Sequence, residues 1–288
     1  MTAVLLPPVL ASIPSPDSGT IDIGPVPLHA YGLLLAVGIL VAAWIGERRW
    51  VAKGHTAEEF GRIALWTVVG GIVGARLYHV ATDYQLFTDD WGSVVKIWEG
   101  GLSIWGAVGG GAIVLALLCW RYKMEFLDLV DAVAPGLAMA QAIGRWGNWF
   151  NQELFGKPTD LPWGLEISPE NRPAGYENDA TFQPTFLYES IYTLAVFAAL
   201  LWVERRFKLR KGQLFTLYIA FYTFGRFFFE NLRIDDAHEI VGLRVNAWVS
   251  VLIFAGAIAW FFWLGRHRDE ATPAGLPRRD TPASPETV

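Results

Sequence analysis

Residues 101–120 read GLSIWGAVGGGAIVLALLCW, a run without one charged side chain. At about 1.5 Å of rise per residue, a helix of that length crosses the roughly 30 Å hydrocarbon core of a bilayer. Comparable runs lie at 31–46, 63–82, 127–147, 186–203, 214–232 and 244–264. The chain therefore reads as an all-α integral membrane protein with about seven transmembrane helices. Its 53% hydrophobic content is gathered into these runs rather than spread over a soluble core, and its 14 Trp suit the membrane–water boundary.

What lies between the runs sets the organisation: one polytopic membrane domain over 1–268 and a disordered cytoplasmic tail over 269–288, too rich in Pro, Thr and charge to bury a core. The first thirty residues hold no Lys or Arg and are broken by Pro7, Pro8, Pro14 and Pro16, which favours an irregular arm over a cleaved secretory signal. Residues 148–185, between the fourth and fifth runs, carry Lys157-Pro158, Asn171-Arg172-Pro173 and Gln183-Pro184, the marks of an irregular head on one membrane face. Positive charge gathers in alternate loops: Arg48, Arg49, Lys53 and Arg62, then Arg121 and Lys123, then Arg205, Arg206, Lys208, Arg210 and Lys211, then the tail. The positive-inside rule places those loops and the C-terminus in the cytoplasm, and the N-terminus and head outside.

Ionisable groups within the runs are costly unless paired or hydrated. With this orientation they converge near the outer boundary. Arg76 and His79 share a helix face; Arg145 and Asn148 end the fourth run. Arg226, Glu230 and Arg233 follow one another along the sixth, and Tyr31 opens the first. Each has a bland reading: a snorkelling arginine, an i, i+4 ion pair, a satisfied core histidine, an aromatic-belt tyrosine. Their convergence points instead to a site in the outer leaflet. Its richness in Arg suits the phosphate of an anionic phospholipid, since guanidinium forks bind phosphate oxygens bidentately and stay charged when desolvated.

Other chemistries find no support. There is no His-Glu-x-x-His, Cys pair or dense carboxylate cluster for a metal, no glycine loop for a nucleotide cofactor, and no Gly-x-Ser-x-Gly turn. The short basic loops are explained by topology, not by nucleic acid. The single cysteine, Cys119, allows no internal disulfide and reads as a small buried hydrophobe. Two glycine patches, Gly70, Gly71 and Gly74, and Gly106, Gly109, Gly110 and Gly111, read as close helix contacts.

The segment from Gly144 to Gly156, GRWGNWFNQELFG, resembles the signature of the prolipoprotein diacylglyceryl transferases, Gly-Arg-x-Gly-Asn-x-x-Asn-x-Glu-x-x-Gly. Further matches follow in family order: Gly24-Pro25-Val26 with Tyr31-Gly32; Trp98-Glu99-Gly100-Gly101-Leu102-Ser103; Asp131 with Ala134-Pro135-Gly136; Gln183 to Glu189; and Gly225 to Arg233. One position departs. Where many family members carry a His after Gly-Gly-x-Ser-x, this chain has Trp105, so that His reads as dispensable, with His79 the nearest substitute.

The resemblance implies an enzyme of the bacterial cytoplasmic membrane. It would move the diacylglyceryl group of phosphatidylglycerol onto the lipobox cysteine of a prolipoprotein, forming a thioether and releasing glycerol phosphate. Carried onto this sequence, Arg145, Arg226, Tyr31, Asn148 and Glu230 are the expected catalytic residues. Arg145, Asn151, Glu153, Gly156, Arg76, His79 and Arg233 are the expected substrate-binding ones. Glu230 would hold Arg226, Glu153 another cation, and Gly156 would supply a tight turn through positive φ. The competing reading, a phospholipid transporter or scramblase, would call for inverted repeats and polar residues running to the inner leaflet, which the sequence does not display. Another phosphatidylglycerol-consuming transferase, acting on a sugar or amine, is disfavoured by the 144–156 window.

Overall fold

The computed structural model describes residues 12–88, 90–97 and 100–266, apart from Gly24 and Pro25. The tail, the first eleven residues of the arm, Gly24-Pro25 and Trp98-Glu99 lie outside the described residues.

Eight α-helices occur among them: α1 (Ala30–Ala52), α2 (Ala57–Thr82), α3 (Ile104–Tyr122), α4 (Phe126–Gly144), α5 (Trp146–Asn151), α6 (Thr185–Arg206), α7 (Gln213–Leu232) and α8 (Val245–Arg266). Most extend past the apolar runs read from sequence, because charged residues such as Arg48, Arg49, Glu58 and Glu59 continue the helix beyond its apolar part. Six helical runs are long and apolar enough to cross a membrane: α1, α2, α3, α4 continued through α5 to Asn151, α6 and α8. The expected seventh falls short. α7 has the length but gives positions to Gln213, Arg226, Glu230 and Asn231, which lower its apolarity.

The chain divides into two compact units, one formed by residues up to Ile45 together with those from Val133, the other by Gly46–Ala132. In the second unit α2 and α3 meet backbone to backbone. A Cβ on Gly74 would lie 2.4 Å from the Gly106 carbonyl oxygen, and one on Gly110 at 2.4 Å from that of Gly70. Gly109 faces open space, so the glycine patch of α3 is split between contact and surface. α2 opens with a capping box, Thr56 accepting from the Glu59 amide while Glu59 accepts from the Thr56 amide.

In the first unit the core joins α4, α6 and α7 through Ala134, Ala138, Val196, Leu200, Leu214 and Tyr218. α6 is fixed to its neighbours by polar contacts that set register: Ser190 donates to the Ala142 carbonyl and accepts from the Trp146 indole, and the Tyr192 hydroxyl donates to the Phe221 carbonyl at 2.6 Å. Gly225 lies directly under the Tyr192 ring.

The segment between α5 and α6 is more regular than expected. Strands β3 (Leu165–Glu166) and β4 (Thr181–Phe182) pair antiparallel over an apolar cluster of Phe155, Leu165, Ile167, Phe182 and Phe186. Ile13 of the arm bridges to Leu165, Pro158 to Phe182, and Gly156 to Arg233. This small sheet thus runs from the arm to the C-terminal end of α7. Two further hairpins, β1 (Thr20–Ile23) with β2 (Val26–His29) and β5 (Glu239–Ile240) with β6 (Leu243–Arg244), precede α1 and α8.

Candidate functional site

α4 passes through Arg145 into the short α5, which carries Asn148 and Asn151. The chain then turns back sharply: Gln152 and Leu154 take left-handed φ of 49° and 57°. That reversal brings Glu153 onto the two asparagines. Its carboxylate oxygen accepts from Asn148 Nδ2 at 2.9 Å and Asn151 Nδ2 at 3.3 Å. Glu153 therefore orients amides, where the sequence suggested it would hold a cation. Gln152 ties the turn to its surroundings, donating to the Pro16 carbonyl and accepting from the Ser168 amide. Tyr31 packs its ring over Gly147, where a Cβ would approach to 2.2 Å.

Because α6 is locked to α4 and to α7, its Glu189 falls between their arginines. Arg145 Nη2 lies 2.6 Å from Glu189 Oε2, and Arg226 Nη1 reaches the same oxygen at 3.9 Å. Arg226 Nη2 is 2.6 Å from Glu230 Oε2, the pairing expected from i, i+4 spacing. The carboxylate side chains are 5% and 1% exposed, the two arginines 17%. The cluster thus buries its anions and leaves cationic edges accessible.

Arg233 was expected to bind substrate at the rim. It is instead engaged within the protein: Nε and Nη2 form a fork to Asp235 at 2.7 and 2.8 Å, and Nη1 lies 3.7 Å from Glu230. Burial works against the charge on Arg233, but the hydrogen bond to Asp235 and the charges of Asp235, Glu230 and Glu189 hold its pKa above the ordinary value. Burial also raises the Asp235 carboxyl, and the hydrogen bonds and charges of Arg233 and Arg244 outweigh it, holding the group below the usual carboxylate range.

Gly156 does not use positive φ. It is absent from the left-handed glycines, and its constraint is space: a Cβ would stand 2.8 Å from Gln183 Cβ and 3.1 Å from the Leu232 carbonyl oxygen. Its amide donates to the Gln183 carbonyl, so it is the narrow point where the small sheet meets the end of α7.

Arg76 and His79 belong to the other unit and build a cluster there. Arg76 donates to the carbonyls of Ser93, Val94, Gly100 and Gly101 at 2.6–3.0 Å. A guanidinium spent on carbonyl oxygens reads as a clamp on those four residues more than as a phosphate ligand. His79 Nδ1 lies 3.0 Å from Asp83 Oδ2, and Gly101 packs on the other edge of its ring. Trp105, at the start of α3, is 53% exposed and brings no ionisable group.

Glu189, Asp235 and Arg244 were missed by the sequence reading. Glu189 was visible as a carboxylate inside an apolar run, the same signal that singled out Glu230. Arg244 and Asp235 looked like ordinary loop charges, and nothing local separates a loop arginine that folds inward from one that faces water.

A sequence model of the prolipoprotein diacylglyceryl transferase family matches residues 18–263. The phosphatidylglycerol–prolipoprotein diacylglyceryl transferase of Streptomyces griseus subsp. griseus is 49% identical over 279 residues, covering 95% of this chain and 84% of that protein. That of Cutibacterium acnes is 49% identical, covering 88% of this chain and 87% of its own length. That of Frankia alni is 52% identical, covering 87% and 67%.

Proposed function

This chain belongs to the prolipoprotein diacylglyceryl transferase family, and from that premise we propose how its arginine–carboxylate cluster serves the reaction: Arg145 and Arg226 clamp the phosphate of phosphatidylglycerol while a cysteine thiol attacks the lipid. The protein is a transferase that moves the diacylglyceryl group of phosphatidylglycerol to prolipoproteins. The observation that carries the clamp is the sharing of one buried Glu189 oxygen by the two arginines, whose exposed edges are left for a second anion.

The cysteine sulfur, as thiolate, attacks the glycerol carbon bonded to the phosphate oxygen. A carbon–sulfur bond forms, that carbon–oxygen bond breaks, and glycerol phosphate leaves with the extra negative charge. Two guanidinium groups beside the phosphate gain strength as this charge grows, which lowers the barrier and not merely the ground state. Their field also favours the thiolate of the incoming cysteine. Glu189 and Glu230 fix the guanidiniums in advance, so little reorganisation is needed at the moment of reaction. In this reading Asn148 and Asn151, held by Glu153, and Tyr31 bind the glycerol headgroup; the Glu153 hydrogen bonds to both amides support it.

The substrate cysteine is that of the lipobox. The protein sits in the bacterial cytoplasmic membrane with α7 as a seventh span, its N-terminus and the 148–185 head outside, its C-terminus in the cytoplasm and the cluster in the outer leaflet. The arrangement of Lys and Arg along the loops supports this orientation.

The test is transfer from phosphatidylglycerol labelled in its diacylglyceryl glycerol to a lipobox peptide by purified protein. Wild type yields labelled peptide, and Arg145→Ala and Arg226→Ala each lower the rate by about 100- to 1000-fold. Wild-type rates in both folded variants would remove the clamp. His79→Ala in the same assay shows whether that histidine takes part.

A further inference from the structure

We propose that Arg244 is a positioning residue for the transfer: it holds the buried Glu230 carboxylate in place, and through Glu230 it orients Arg226. The inference rests on the reading of Arg226 as a phosphate clamp.

Arg244 ends β6, one residue before α8, and its side chain is 8% exposed. Its fork is fully engaged by the end of α7 and the turn after it. Nε lies 3.3 Å from Glu230 Oε1, and Nη1 donates to the Glu230 carbonyl at 3.1 Å. Nη2 donates to the Asp235 carbonyl at 2.7 Å and to Asp235 Oδ2 at 2.8 Å. A cation there also answers the negative end of the α7 dipole. Arg244 thus holds the α7 terminus, the following turn and the Glu230 carboxylate with one rigid group, which a flexible ammonium would not do.

The two oxygens of Glu230 are divided between different partners. Oε2 faces Arg226 at 2.6 Å and Arg233 at 3.7 Å, from α7 and its C-terminal end. Oε1 faces Arg244 from β6 and the Asn246 amide of α8 at 3.4 Å. Beyond these, Glu189 of α6 draws on Arg226, and Asp235 on Arg233 and Arg244. With Arg244 gone, a wholly buried carboxylate loses the charge on its Oε1 side. The carboxylate must then pull differently on Arg226, which misplaces the guanidinium without touching the substrate.

The experiment compares full-length wild type, Arg244→Gln, Arg244→Lys, Asp235→Asn and Arg226→Ala in phosphatidylglycerol-containing nanodiscs. Transfer to the lipobox peptide is followed against lipid concentration, with thermal stability in parallel. Arg244→Gln lowers kcat by up to about 100-fold, the scale of an ångström-sized misplacement, with a smaller change in KM. Arg244→Lys keeps the cation but not the fork and recovers only part of kcat. Asp235→Asn removes the other anion that holds the Arg244 fork and lowers kcat less than Arg244→Gln does.

Wild-type kcat in Arg244→Gln, with only thermal stability lowered, would make Arg244 a structural residue and overturn the proposal. Should that variant not fold, the decision passes to Arg244→Lys and Asp235→Asn, and wild-type kcat in both overturns it equally. Failure of the clamp reading is separate: it is a wild-type rate in Arg226→Ala.

Discussion

Glu189 and Glu153 are both carboxylates near the same arginine-bearing elements, yet their situations differ. Glu189 is buried and ion-paired to Arg145 and Arg226; Glu153 is exposed and accepts from two neutral amides. Neutralising a buried anion leaves its cations uncompensated at a cost of about 3–5 kcal/mol. Surface substitutions typically stay within about 0.5 kcal/mol. Glu189→Gln is therefore expected to lower stability by several times as much as Glu153→Gln in denaturant titrations of the detergent-solubilised protein. Equal stability losses would mean that the buried pair is not what holds α6 to α4 and α7. The residue types of the cluster were legible in the sequence, Arg145, Arg226 and Glu230 among them. Their partners were legible only where they lay one helical turn apart, as Arg226 and Glu230 do.

At the scale of elements, α2 and α3 show how a pattern of small residues divides into contacts and bystanders. Gly106 and Gly109 look alike in sequence. A Cβ on Gly106 would meet the Gly74 carbonyl oxygen at 2.3 Å and the Ala75 Cα at 2.9 Å, while one on Gly109 meets nothing within 4 Å. Backbone cannot swing aside as a side chain can. Gly106→Ala is expected to cost about 1–3 kcal/mol by overpacking, and Gly109→Ala to change stability by less than about 0.5 kcal/mol. Thermal unfolding of the two variants decides it, and matching melting temperatures would mean that the helices separate freely. The same distinction governs Gly156, which reads in sequence as a turn glycine and stands in the structure as a packing one.

For the whole molecule, the proposed orientation rests on the distribution of Lys and Arg and is open to a direct check. Asp160, in the segment between α5 and α6, and Lys208, between α6 and α7, are both exposed, whereas the native Cys119 is buried. A membrane-impermeant maleimide added to intact spheroplasts is expected to label Asp160→Cys, and to label Lys208→Cys only after the membrane is opened. The reverse pattern would invert the protein and place the cluster in the other leaflet.

Six of the seven expected spans, the family signature and the ionisable residues within apolar runs were legible in sequence alone, because each depends on neighbours along the chain: twenty apolar residues, a short motif, a charge inside an apolar stretch. Tertiary structure decided which carboxylate serves which arginine. Glu189 reaches Arg145 from 44 positions away, and Arg244 folds back onto Glu230 through a hairpin. It also turned Arg76 towards backbone carbonyls and Arg233 towards Asp235. Such pairings depend on how helices distant in sequence are set in register by contacts like Ser190 with Ala142 and Tyr192 with Phe221. Charge and hydrophobic period report which groups must find partners, and only packing in three dimensions assigns them.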